Sequence, residues 1–210
     1  MDQSKSKPGF LRLLAVVGWF AVAVQFYLML QAGTAPVIEL ALRFLSYFTI
    51  LTNALVAISC TSLGWFPGSS WGRYFSSAHN QTAIAVYITV VSLVYNTILR
   101  FLWEPTGWQR LVDELLHSAI PVLYVLYWWI FVRSRFQWTA FLPWLRYPLV
   151  YLGFILVRGH FSGFYPYPFT DVTQLGYPSV LLNCAGMTLL FVAVSVVFIA
   201  IGRTAPIRQE

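Results

Sequence analysis

His117 is the only histidine inside a strongly apolar stretch of this chain, and its neighbours are the residue types that acid–base chemistry uses. It sits in Asp113-Glu114-Leu115-Leu116-His117-Ser118-Ala119-Ile120-Pro121, where a charged loop runs into an apolar helix. Asp113 and Glu114 precede it by four and three residues, on the helical face that reaches the ring, so a carboxylate can orient the imidazole. Pro121 has no N–H to return to the residue four positions earlier, which predicts an unpaired His117 carbonyl and a bend in the helix.

A threonine hydroxyl is a poor nucleophile unless a neutral base lies within hydrogen-bond reach, a task for an imidazole kept uncharged by desolvation. Thr49 with His117 supplies such a pair, and Ser46 and Thr52, one turn either side of Thr49, leave the choice of hydroxyl open. Asn53, Asn96 or Asn183 can donate amide hydrogens to a developing oxyanion, with Thr52 and Glu114 supporting the pair. Arg100 or Arg158, with Asp171 beside them, can hold a substrate headgroup at the surface. The rival reading is structural: Ser, Thr and Asn commonly bridge helices in membrane bundles. An ionisable group at membrane depth, such as His117, points instead to function. A single intramembrane histidine argues against haem, the absence of a second nearby ligand argues against zinc, and glycine-rich phosphate-binding patterns are missing, so no cofactor is expected.

These residues need helices to hold them. With 59% hydrophobic and 10% charged residues over 210 positions, the chain has the composition of a membrane protein. Apolar runs predict an all-α, polytopic membrane bundle of six transmembrane helices in one domain, at about 11–31, 44–65, 82–102, 111–132, 141–158 and 178–201. The first run follows Lys5 and Lys7 but is too long for a signal-peptide core, so it reads as an uncleaved helix. Net charge +6 is spread over the loops, not gathered in a patch, which argues against nucleic acid. With the N-terminus in the cytoplasm, nine of the 13 Lys and Arg fall inside, and Arg43, Arg100, Arg110 and Arg158 fall outside. That asymmetry places both termini in the cytoplasm.

On this topology Thr49 and His117 both lie roughly 10 Å below the outer surface, at 1.5 Å of rise per residue. Asn96, Asn183 and Arg158 join them in an outer polar shelf, and the inner half is expected to be far less polar. The segment 158–177, rich in Gly, Pro and aromatics, predicts a compact cap over the outer mouth. The loop 67–81 reads as solvated, His79 included. Trp and Tyr near helix ends form interfacial belts. Cys60 and Cys184 fall at different depths, so no bridge between them is expected.

Two groups of residues resemble a known family. Arg43-Phe44-Leu45-Ser46-Tyr47-Phe48-Thr49-Ile50-Leu51-Thr52-Asn53, together with His117 and Pro121, is similar to the androgen-induced-gene-like integral membrane proteins. Tyr95-Asn96-x-x-Leu99-Arg100, Arg158-Gly159 and Gly163-Phe164-Tyr165-Pro166-Tyr167-Pro168-Phe169-x-Asp171 resemble its bacterial branch, Pr-six-Pr. The resemblance implies six helices and an intramembrane threonine hydrolase of fatty-acid esters of hydroxy fatty acids, with Thr49 as nucleophile and His117 as base. It also implies a bacterial cytoplasmic membrane and a fatty-acyl ester or membrane lipid as partner. The alternative is a binding or transport protein for an amphipathic acid, with His117 relaying a proton and Arg158 holding the ligand.

Overall fold

The computed structural model describes residues 3–204, all-helical and without a strand. In chain order the helices are α1 (Gln3–Ala32), α2 (Val37–Phe44), α3 (Phe48–Trp65), α4 (Ser70–Ser76), α5 (Ala78–Thr97) and α6 (Gly107–Glu114). They continue with α7 (Ile120–Tyr127), α8 (Phe141–Trp144), α9 (Arg146–Ser162) and α10 (Val172–Arg203). A π-helical turn, Leu115–Ala119, joins α6 to α7, and a second, Trp128–Val132, extends the same rod. Of the charges used for orientation, Asp2, Arg208 and Glu210 lie outside the described residues.

Five helices are long and apolar enough to cross a membrane: Ser6–Ala32, Phe48–Trp65, Gly107–Val132, Trp138–Ser162 and Val172–Arg203. They make this an integral multi-pass membrane protein, with five such helices where six were expected. The exception is the expected span 82–102. Its helix, α5, ends at Thr97 and carries His79, Asn80 and Gln81 in its first turn, which dilute its apolarity. The physical reason is enclosure: every residue from Gln81 to Ile88 is buried by protein, so α5 needs no lipid-compatible surface there. It runs antiparallel to the Gly107–Val132 rod along its length. Trp128 Nε1 donates to Thr82 Oγ1 (2.8 Å) near one end, and the Tyr95 hydroxyl donates to Asp113 near the other.

Other boundaries shift for local reasons. The expected start of a helix at 44 is split by a break at 45–47. Before it, α2 exposes Val37, Ile38 and Leu42 and buries Leu40 and Phe44, a short amphipathic helix at the end of the bundle. Helix α10 starts six residues earlier than expected, because Asp171 caps it by accepting from the Thr173 backbone N–H (2.9 Å). Gly176, at φ 72°, absorbs the break that Pro178 imposes.

The closest helix pair is α1 with α3, where small residues let the backbones approach. A Cβ on Gly18 would lie 3.1 Å from the Ala57 methyl, and one on Gly64 would lie 3.2 Å from the Arg12 side chain. At the C-terminal end of α9, Gly163 (φ 68°) stops the helix, and the cap expected over 158–177 is confined to 163–171, because 158–162 and 172–177 belong to α9 and α10. The Tyr165 ring lies flat on Gly159, where an added Cβ would come within 2.0 Å of a ring carbon. Gly159→Ala is therefore expected to push the cap outward and cost about 1–3 kcal/mol, read as a lower thermal midpoint in detergent.

The end of the bundle away from the cap is more polar than expected. Gln81 is buried and accepts from the Tyr127 hydroxyl at 2.6 Å, so it is core and not loop. His79 is half-buried, not solvated: Trp144 Nε1 donates to its Nδ1 at 2.7 Å, and Phe136 packs edge-on to its ring. Tyr127 and Trp144, aromatics near helix ends, thus spend their polar tips on hydrogen bonds inside the bundle. Cys60 and Cys184 are both free.

Candidate functional site

The site begins with a backbone defect. In the π-turn the Ile120 N–H bonds back to the Leu115 carbonyl, five residues away, and so abandons the Leu116 carbonyl. The next residue is Pro121, with no N–H, so the His117 carbonyl is orphaned as well. Two asparagines from neighbouring helices fill both vacancies. Asn53 Nδ2 of α3 donates to the Leu116 carbonyl (3.1 Å), and Asn96 Nδ2 of α5 donates to the His117 carbonyl (3.2 Å). The bend predicted from Pro121 is thus a π-bulge, a form that recurs at functional sites.

These bonds reassign the asparagines. Asn53 Nδ2 also donates to the Thr49 carbonyl (2.9 Å), and Asn96 Nδ2 to the Ser92 carbonyl (2.9 Å). Neither amide has hydrogens left for an oxyanion, the role expected of them. Asn183 is committed elsewhere, donating to the Phe169 carbonyl (2.9 Å) and tying α10 to the cap.

The imidazole of His117 is held on several sides. Nδ1 lies 2.9 Å from the Asp113 carbonyl and 3.2 Å from Asp113 Oδ1. Both partners are acceptors, so Nδ1 carries the proton in the neutral ring and Nε2 keeps its lone pair. The Tyr95 ring stacks on the imidazole, centroids 3.7 Å apart and planes 12° from parallel. Its hydroxyl donates to Asp113 Oδ2 and accepts from Trp103 Nε1 (3.1 Å). The orienting carboxylate is therefore Asp113. Glu114, the other candidate, pairs with Arg100 (2.7 Å) and accepts from Ser118 (2.9 Å). Tyr95→Phe keeps the stack and removes a hydrogen bond to a buried carboxylate. The expected cost is about 1.5–3 kcal/mol, measured by thermal unfolding.

The three candidate hydroxyls separate cleanly. Ser46 Oγ donates to the Leu42 carbonyl (2.6 Å), and Thr52 Oγ1 meets the Tyr147 hydroxyl (3.2 Å); both side chains are fully buried. Thr49 lines an apolar slot of about 50 Å³ between α3, α5, α9 and α10, which neither Ser46 nor Thr52 borders. Val91, Tyr151 and Phe191 form its walls, and Tyr167 and Phe169 of the cap close it. Tyr167 reaches down to Thr49, its hydroxyl accepting from the Thr49 N–H at 3.3 Å. Burial pushes the Tyr167 phenol up from its ordinary range, so it stays protonated and able to donate. Among the described residues no hydrogen bond joins Thr49 to His117. What links them is Asn53, whose one nitrogen bonds the Thr49 carbonyl and the carbonyl preceding His117.

The expected headgroup residues are already partnered. Arg100 is engaged by Glu114. Arg158, mostly buried, reaches Glu39 (3.3 Å), the Phe164 carbonyl (3.4 Å) and Ser162 (3.4 Å), all long contacts. Arg43 binds the same Glu39 at 2.8 Å and holds its carboxyl below the usual range, and both guanidiniums lie over the Phe164 ring. Asp171 is a helix cap, held below the usual carboxylate range by its hydrogen bonds from Thr173, and both its oxygens are engaged by Thr173 and Gln174. Tyr95, Trp103 and Tyr167 carry no site role in the sequence, where Tyr95 and Tyr167 stand in the family-like motifs and Trp103 reads as a belt residue. Their polar tips were the missed signal.

Fold and site together define a polytopic helical membrane protein with a histidine–carboxylate pair set into a π-bulge beside a capped apolar slot. No family model, no curated protein and no solved structure matches the chain. Among the described residues no group of three or more His, Cys, Asp or Glu is arranged to hold a metal.

Proposed function

We propose that this chain is an intramembrane hydrolase of lipid esters, with Thr49 as nucleophile and His117 as base. The observation that carries the reading is the Asn53 staple. It fixes the turn bearing Thr49, which borders the apolar slot, against the turn bearing an imidazole whose Nδ1 is already directed to Asp113. The apolar slot takes only the first carbons of the acyl chain beside the ester, and the rest of the chain extends out between the helices.

In the reaction, His117 Nε2 takes the Thr49 hydroxyl proton as Oγ1 attacks the ester carbonyl carbon. The tetrahedral oxyanion is stabilised by the Tyr167 phenol, which replaces the committed asparagines as donor. Collapse breaks the bond to the alcohol, which leaves with the proton from His117. Water, deprotonated by the same imidazole, then releases the fatty acid from Thr49. Asp113 stabilises the imidazolium formed in each half. Substrate binding must bring Thr49 Oγ1 and His117 Nε2 to hydrogen-bond distance by drawing Thr49 away from Tyr167. On this reading α5 crosses inside the bundle, both chain ends face the cytoplasm, and the cap faces outward from a bacterial cytoplasmic membrane.

A second reading, a carrier for an amphipathic acid, draws on one observation: Asp113 borders a polar cavity at the cap end, a route for protons to His117. The two readings part on turnover of a long-chain coumarin ester by the purified protein in micelles. The hydrolase cleaves it, loses cleavage in Thr49→Ala and keeps it in Thr49→Ser. A carrier binds the acid product without cleaving the ester.

A further inference from the structure

The polar cavity at the cap end, about 320 Å³, lies outside the Thr49 slot and has a composition of its own. Its floor is the buried pair Tyr95 and Asp113, and its rim carries Trp103, Glu104 and Arg110. Arg100 also borders it, but its charge is met by Glu114 at 2.7 Å. The side chains of Glu104 and Arg110 make no hydrogen bond or ion pair among the described residues; Arg110 meets Glu114 only through space, so the rim presents one charge of each sign to a ligand. Counting Asp113, the lining carries three acids against two arginines, so a purely anionic ligand is disfavoured. An organic cation alone leaves Arg110 unmatched.

The setting supplies the second argument. Phe101 (77% exposed), Leu102 (62%) and Trp108 (63%) lie next in the chain to the lining residues 103–106 and Arg110. Exposed apolar and Trp side chains beside a charged rim, at the end of a membrane bundle, are the signature of a segment seated in the lipid interface. The cavity therefore opens onto the headgroup layer.

We infer that this cavity binds the headgroup of a zwitterionic phospholipid, the ammonium between Glu104 and the Trp103 ring and the phosphate on Arg110. The ammonium gains a carboxylate and a cation–π face, and the phosphate gains a guanidinium suited to two-point binding. The inference does not depend on the hydrolase reading, since neither Glu104 nor Arg110 belongs to that machinery.

The test is native mass spectrometry of the protein released from nanodiscs of equimolar phosphatidylethanolamine and phosphatidylglycerol. Wild type is expected to retain phosphatidylethanolamine in about fivefold preference, Glu104→Gln to bring the ratio to parity, and Arg110→Gln to lower retention of both lipids about fivefold, all with unchanged thermal midpoints. Parity in wild type, an undiminished preference in Glu104→Gln, or undiminished retention in Arg110→Gln overturns the assignment. Soluble glycerophosphoethanolamine forms the second arm. Failure to displace the retained lipid supports a membrane source, and binding as tight as the lipid's reassigns the cavity to a free solute and overturns the lipid proposal.

Discussion

His117→Ala is expected to lower ester turnover by about 10²–10⁴-fold, the usual contribution of a positioned general base. The variant also deprives buried Asp113 of one partner, so lost activity alone does not separate chemistry from packing. Two companions do. His117→Asn offers Asp113 an amide N–H in place of Nδ1–H but no basic nitrogen, and is expected to fold near the wild-type midpoint and remain inactive. Added imidazole is expected to restore part of the His117→Ala activity, because the deletion leaves a ring-sized space under Tyr95. Activity in His117→Asn would show that the imidazole is not the base.

The second large effect is on stability. Asn53→Leu removes the donor to the Leu116 carbonyl, whose ordinary helical partner has moved to Leu115 and whose next neighbour is Pro121. A buried carbonyl left without a donor costs about 1–3 kcal/mol, and the Thr49 carbonyl loses its second donor as well. Asn53→Asp is expected to be worse, since it sets a carboxylate against those carbonyls in a buried site. Thermal unfolding in detergent measures both. On the account given, Asn53→Leu also loses activity beyond its loss of folded protein, because the staple between the Thr49 and His117 turns is gone. Wild-type stability in Asn53→Leu would mean the π-bulge does not need it.

The sequence made the helical membrane fold legible because apolar length is a one-dimensional property, and five of the six expected spans are found within several residues. It misjudged α5 because burial by neighbours is not written in a helix's own composition. The Asp113–His117 pairing was legible from i, i+4 spacing, and the free His117 carbonyl from Pro121. The asparagines were found by type and depth, yet their roles were not, because what an amide donates to depends on a defect in another helix. Tyr95 and Tyr167 stood in the motifs but were given no role, for the same reason. A tyrosine near a helix end has the same spelling whether its hydroxyl faces headgroups, as in a belt, or a buried carboxylate.

The central claim, an activated hydroxyl on Thr49, is tested most directly by a fluorophosphonate. Purified protein in detergent is treated with the probe and digested, and the modified residue is mapped by mass spectrometry. The account predicts an adduct on Thr49, retained in Thr52→Ala and absent from Thr49→Ala and His117→Ala. An adduct on Ser46 or Thr52, or no adduct on well-folded wild type, would contradict it.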